Sequence, residues 1–281
     1  EQVINSIERQ HILSSSSLPF KDSPSSRIVR GIVINNPSNP TGSVYSCTHL
    51  SEILRLAERR RLPIIADEIY GDLTYGEALF RPLANVASSV RSQVPIITAS
   101  GLGKQYLVPG WRVGWLVFHD NATCSLKQVK DGAKRLAQVV LGASHLVQKA
   151  VPAVLAPPSL ADHKAVAEFR SEVRTIFSAQ ASLTFEKLRA CPGLTVTAPQ
   201  GAMYLMAQIN CSLFDDAIDD DLVFTKLLLE EENVFVLPGR AFGATTDLFR
   251  VCFGAPADML DEAFVRIHAF CQRHYVGERA Y

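Results

Sequence analysis

One segment narrows the possible folds more than any other. Gly31-Ile-Val-Ile34 is a short unbroken apolar run, and it stops at Asn35-Asn-Pro-Ser-Asn-Pro-Thr-Gly42, which is nearly all turn chemistry. Beyond the turn, Leu50, Ile53, Leu54 and Ala57 follow the i, i+3, i+4, i+7 spacing of an amphipathic helix, with Ser46 or Thr48 placed to cap it. A second buried run, Leu62–Ala66, then leads into Asp67-Glu-Ile-Tyr70. Strand, crossover helix and strand in that order make a parallel βαβ unit, because parallel neighbours need a long connection.

The rest of the chain extends this unit and then changes character. Val94–Ala99 reads as a third strand, stopping at Ser100-Gly-Leu-Gly-Lys104, and Trp111–Phe118 as a fourth, interrupted by Gly114. Helical spacing dominates Leu126–Leu155 with a break near Gly142, and resumes from Ala161 to Leu188. Short strands follow at Leu194–Val196, Ala202–Ile209, Val234–Leu237 and Leu248–Phe253, with helices at Leu222–Glu231 and Ala257–His274. The expected fold is α/β: a large domain on a mainly parallel sheet over residues 1–172, and a smaller C-terminal α+β domain over 173–281, joined by the long helix. Ser14–Ser17 and Lys21–Ser26 read as a polar Ser/Pro-rich loop.

Composition excludes several function classes. With 47% apolar residues over 281, the chain carries far too much core-forming sequence for a disordered or fibrous protein. Lys+Arg and Asp+Glu balance at 28 each, so a strong electrostatic footprint for nucleic acid or an anionic membrane is not expected. No apolar run approaches the roughly 18 residues of a spanning helix. The six cysteines are scattered without a C-x-x-C pair, which reads as free thiols in a reducing compartment and supports neither a disulfide framework nor a metal site. The chain opens with Glu1 rather than Met, so a natural amino terminus further upstream is expected.

The candidate chemistry sits at one edge. The loops Asn35–Gly42, Asp67–Tyr70 and Ser100–Lys104 leave the carboxyl ends of consecutive parallel strands, where open α/β sheets bind ligands. Taken singly, each has a bland reading: an ordinary turn, a capping aspartate, a solvated lysine, an arginine in an ion pair. Together Asn39, Asp67, Tyr70, Lys104 and Arg112 answer to one chemistry. A lysine holds an aldehyde cofactor and shuttles a proton, and a carboxylate keeps a pyridine nitrogen protonated. A phenol and an amide hydrogen-bond the ring's oxygen, and a guanidinium with helix-terminal amides holds a phosphate. Those are the requirements of pyridoxal 5'-phosphate.

With these residues in view, the chain resembles the class I (fold-type I) pyridoxal-phosphate aminotransferases, and among them most the tyrosine aminotransferases. Asn35–Val44, Ala66–Asp72, Gly101–Trp115, Pro199–Met206 and Leu248–Val251 carry the resemblance, in order along nearly the whole chain. It implies that Lys104 is the cofactor-bonding lysine and proton shuttle. Asp67 would face the pyridine nitrogen, Tyr70 and Asn39 the cofactor's ring oxygen, and Arg112 its phosphate. Arg250 would clamp the substrate α-carboxylate, with Asn39 beside it. Many members carry hydroxyl residues one and three positions before the lysine; here Gly103 and Gly101 stand there, with Ser100 one further back, so Ser100 and the Gly101 amide are the expected phosphate contacts. The family's amino-terminal segment, with a second phosphate-binding loop and an arm to the partner subunit, is not recognised in these residues.

The implied function is transfer of the amino group of tyrosine, or a related aromatic amino acid, to a 2-oxo acid such as 2-oxoglutarate, in amino-acid metabolism. The implied assembly is a cytoplasmic (or mitochondrial) homodimer with shared active sites, without nucleic-acid or membrane partners. Rival readings are a kynurenine aminotransferase, a carbon–sulfur lyase on the same fold, or a non-enzymatic regulator with an aminotransferase-like effector domain.

Overall fold

The computed structural model describes residues 29–120 and 124–278; the Ser/Pro-rich stretch at 14–26 lies outside them. Two four-stranded sheets organise the chain. In the first, β1 (Ile32–Asn35), β2 (Ile64–Asp67) and β3 (Ile96–Gly101) run parallel in that order, and β4 (Gly114–His119) closes the edge antiparallel to β3. The second has the order β5-β6-β8-β7 and is antiparallel throughout, built from Leu194–Val196, Tyr204–Ile209, Leu248–Cys252 and Leu237–Pro238.

The crossover α1 (Cys47–Arg60) is explained by its own residues. Leu50, Leu54 and Ala57 bury one stripe against β1 and β2, and Ser46 caps the first turn by accepting the His49 N–H at 3.2 Å. Arg61, in the left-handed conformation, ends it by donating its N–H to the carbonyls of Ala57 and Glu58.

Helix α2 (Leu83–Ser89) was not anticipated. At seven residues it has little periodicity to read, and its cap is remote: the Leu83 N–H donates to Glu68 Oε1 at 2.7 Å, from the end of β2. Burial raises the Glu68 carboxyl above its usual range, and that hydrogen bond offsets only part of the rise. Glu68, set inside the Asp-Glu-Ile-Tyr run, is therefore a structural cap.

Other boundaries shift by a few residues. Ser100 and Gly101, read as loop, complete β3 opposite Trp115 and Gly114. Trp111, read as strand, lies in a 3₁₀ turn (Pro109–Trp111), and the strand near 234 shrinks to Leu237–Pro238. After β3 come α3 (Leu102–Gln105), α4 (Lys127–Val140) and α5 (His145–Leu155). The long α6 (Leu160–Arg189) is exposed along its early turns and buried from Val173 through Phe177 and Ala181 to Leu188. The partition expected at 172/173 falls inside this helix.

The antiparallel sheet packs under α6, α7 (Asp221–Glu232) and α8 (Ala257–His274). Phe224 stacks on Phe249 at 5.3 Å and meets Phe270 edge-on at 5.2 Å. Tyr70, Leu73 and Tyr75, from the segment after β2, belong to this second core. All six cysteines are free thiols. No helix among the described residues is long and apolar enough to cross a membrane, and no cluster of three or more His, Cys, Asp or Glu among them is arranged to hold a metal ion.

Candidate active site

Sheet register brings the loops to one level. Asn35 lies beside Asp67, and Asp67 beside Ala99, so the chain leaves β1, β2 and β3 at a common edge. Asp67 is half-buried; its Oδ1 accepts the Ile69 N–H at 3.3 Å, and it pairs with no cation among the described residues. Three residues on, Tyr70 is buried, its phenol within 3.0 Å of the Tyr204 phenol and the two rings edge-on. Burial first, and then this hydrogen bond, push the Tyr70 ionisation far above the usual phenol range, so the group stays neutral and keeps its proton. Lys104 follows β3 in α3, with Nζ 5.8 Å from the centre of the Tyr70 ring.

The Asn-Pro-Thr-Gly turn is fastened to the antiparallel unit. Gly42 O accepts the N–H groups of Gln200 and Gly201, each at 2.8 Å, and the Val44 N–H donates to Gln200 Oε1 at 3.1 Å. Only glycine fits at position 42: φ is +69°, and a Cβ would lie 2.4 Å from the Tyr204 carbonyl oxygen. Leu73 O and Tyr75 N–H bond to Ala202 and Gln200 at 2.9 and 2.8 Å, and the Tyr75 phenol donates to the Ala202 carbonyl. These bonds bring Asn39 against Arg250, although 211 positions separate them. Arg250 Nη1 donates to Asn39 Oδ1 at 2.7 Å, and the Asn39 carbonyl accepts from Asn35 Nδ2 at 3.1 Å.

Arg250 sits in β8 between Phe249 and Val251, both buried in the core, so strand alternation turns its side chain the opposite way. Its guanidinium carbon lies 4.3 Å from the Tyr204 ring centre and 4.7 Å from that of Phe242, placing it against two aromatic faces. Its Nε is buried with no hydrogen-bond partner among the described residues. Buried donors are almost always satisfied, so an orphan on a charged group marks a guanidinium with donor capacity still unused.

Of the expected site residues, Asn39, Tyr70, Lys104 and Arg250 are gathered into one group, with Asp67 on the same edge. Ser100 and Gly101 lie on the neighbouring strand. A Cβ on Gly101 would come within 2.6 Å of the Val113 carbonyl oxygen, so the close β3–β4 approach requires glycine there and leaves only its backbone for binding. Arg112 stands apart: exposed, it donates to the Pro109 carbonyl at 3.2 Å, and no bond joins it to Lys104 or Tyr70. Sequence reasoning assigned no role to Tyr204 or Phe242. Both sit among apolar residues where an aromatic reads as core filling, and the signal for Tyr204 was its place in Gln200-Gly-Ala-Met-Tyr204. Clefts of about 570 Å³ (lined by Tyr75, Ser178, Phe185 and Gln200) and 390 Å³ (lined by Ser88, Arg91 and His119) open elsewhere, and neither gathers a comparable donor set.

The donor set fits pyridoxal 5'-phosphate. An amine, a carboxylate without a cation, a neutral phenol and the Asn39 amide, whose oxygen is already taken by Arg250, supply complementary partners to an aldehyde, a ring nitrogen and a ring oxygen.

Comparison with known proteins agrees. The sequence model described as aminotransferase class I and II matches residues 19–267. The chain is similar to the tyrosine aminotransferase of Dictyostelium discoideum, with 42% identity over 246 residues, covering 87% of this chain and 57% of that protein. Its fold is similar to that of the tyrosine aminotransferase from Leishmania infantum, with TM-score 0.78 and 33% identity over 88% of this chain and 57% of that one. It is also similar to the alanine aminotransferase from Pyrococcus furiosus, with TM-score 0.76 and 30% identity over 87% and 58%. The chain thus spans little more than half the length of the relatives it matches.

Proposed function

The chain belongs to the class I and II aminotransferase family, and we propose that the protein built on it transfers the amino group of tyrosine, or a related aromatic amino acid, to a 2-oxo acid, with 2-oxoglutarate the expected acceptor. The observation that carries this reading is the Arg250 guanidinium: fixed by Asn39 and two aromatic rings, and with donor capacity that no described residue fills, it is suited to a carboxylate. Amino-acid and 2-oxo-acid substrates share an α-carboxylate.

Pyridoxal 5'-phosphate, when bound, supplies an aldehyde for the amino group and a ring that accepts the charge left at Cα. The protein's own groups do the rest. Lys104 holds the cofactor and moves the proton at the substrate Cα. Asp67 keeps a proton on the ring nitrogen, while Tyr70 and Asn39 donate to the ring oxygen. Ser100, the Gly101 amide and Arg112 hold the phosphate. Arg250 orients the substrate, so that the bond to the departing proton stands where Lys104 can reach it. We further propose a cofactor-binding domain over 1–172 and a small domain over 173–281. A homodimer with shared active sites and a cytoplasmic location rest on the family resemblance.

The test is Arg250→Lys beside Arg250→Ala in the intact protein. Lysine cannot reproduce the two-pronged geometry, so both should lower kcat/KM by roughly 10²- to 10⁴-fold, and equally for aromatic and acidic substrates. A loss confined to 2-oxoglutarate in Arg250→Lys would mean that Arg250 reads a side-chain carboxylate, and the assignment would fail.

A further inference from the structure

Tyr204 touches both ends of the site. It opens β6, is 7% exposed, and is paired in register with Cys252 of β8. Its hydroxyl lies 3.0 Å from that of Tyr70, while its ring face carries the Arg250 guanidinium at 4.3 Å. We propose that Tyr204 is a positioning residue that couples the two: its hydroxyl donates to Tyr70, and its ring, with Phe242 as the second aromatic contact, fixes the plane of Arg250. The inference rests on the aminotransferase reading above.

The direction of the phenol–phenol bond follows from proton counting. Each hydroxyl has one proton to give. Tyr70 can donate to a ligand oxygen only if it does not donate to Tyr204, so with the site loaded Tyr204 is the donor and Tyr70 the relay. Hydrogen bonds in a buried chain polarise one another, so the Tyr204 proton makes Tyr70 the stronger donor to the ligand. On the other side, Arg250 has one nitrogen on Asn39 and two rings against it. That arrangement leaves few orientations for the remaining N–H edge. Filling core volume does not account for Tyr204, since a phenylalanine would do that without the cost of burying a hydroxyl.

The two contacts separate by substitution. Tyr204→Phe removes the hydroxyl and keeps the ring; Tyr204→Leu removes both. In the intact protein reconstituted with pyridoxal 5'-phosphate, the pH midpoint of the cofactor's visible absorbance reports donation to its ring oxygen. Tyr204→Phe should raise that midpoint by about 0.3–1 pH unit with KM for the amino acid nearly unchanged. In a Tyr70→Phe background the same substitution should add nothing, because the relay is gone. Tyr204→Leu should also raise KM by roughly 3- to 30-fold, alike for tyrosine, alanine and glutamate. A midpoint untouched by Tyr204→Phe, or a shift that persists in the Tyr70→Phe background, would overturn the coupling while leaving the aminotransferase reading intact. A wild-type protein with no cofactor band would overturn both.

Discussion

The two sheets are finished differently. The antiparallel sheet is wrapped by α6, α7 and α8 around phenylalanines with essentially no exposure, among them Phe214, Phe224, Phe249 and Phe270. The parallel sheet is covered on one face by α1 and α2, through Leu50, Leu54, Leu83 and Val86. On its other face Val33 is 71% exposed and Leu116 49%, and by alternation this is the face from which Asn35 and Asp67 project. Mainly parallel sheets are ordinarily covered on both faces. Helices α4 and α5 leave Leu136, Val139 and Leu146 mostly in solvent. Among the described residues closed core packing is therefore concentrated in the antiparallel unit, while most of the candidate chemistry lies on the barer sheet. What holds the chemistry in place is the seam between them, through Gly42, Gln200, Asn39 and Arg250.

This contrast breaks most sharply in a pair of substitutions. Asp67→Asn should cut turnover on the order of 10²- to 10⁴-fold, because it weakens the transition state, and leave thermal unfolding unchanged. Phe249→Ala, in the closed core, should cost about 3–5 kcal/mol of stability, against less than about 0.5 kcal/mol for Val33→Ala on the open face. Similar costs for the last two, by denaturant unfolding, would show that the open face is buried in solution.

A smaller effect sharpens the same contrast. At the end of α8, His274 meets Asp215 Oδ2 at 2.6 Å and Glu231 Oε1 at 3.0 Å, with Arg273 also on Glu231. Burial works against its charge, but the two carboxylates outweigh that and raise its pKa above the ordinary value of 6.5. A raised histidine stabilises fully below its unfolded pKa and loses that contribution as pH rises through the folded one. Protection of the amides at the end of α8, measured against their intrinsic exchange rate at each pH, should therefore fall as pH rises above the ordinary histidine range, and His274→Gln should abolish that fall. If the fall survives in His274→Gln, the titrating group is not His274.

Much of this was legible before the structure. The β1–α1–β2 unit follows from apolar spacing and turn chemistry, and the orientation of Arg250 from strand alternation between Phe249 and Val251. What was not legible depends on distant partners. Helix α2 is capped by Glu68 from another strand's end, and the antiparallel turn of β4 depends on the tight passage at Gly101 and Gly114. Tyr204 and Phe242 look like core residues until Arg250 is seen against their rings. Local spacing reports local structure; the seam is built from contacts between residues far apart in the chain.

On the proposed function, the edge of the parallel sheet carries a cofactor-bonding lysine, Lys104. Borohydride reduction of the loaded protein followed by peptide mapping tests it directly. A pyridoxyl group is expected on the peptide containing Lys104, and none in Lys104→Ala. Modification of Lys127, Lys130 or another lysine, with Lys104 untouched, would contradict it.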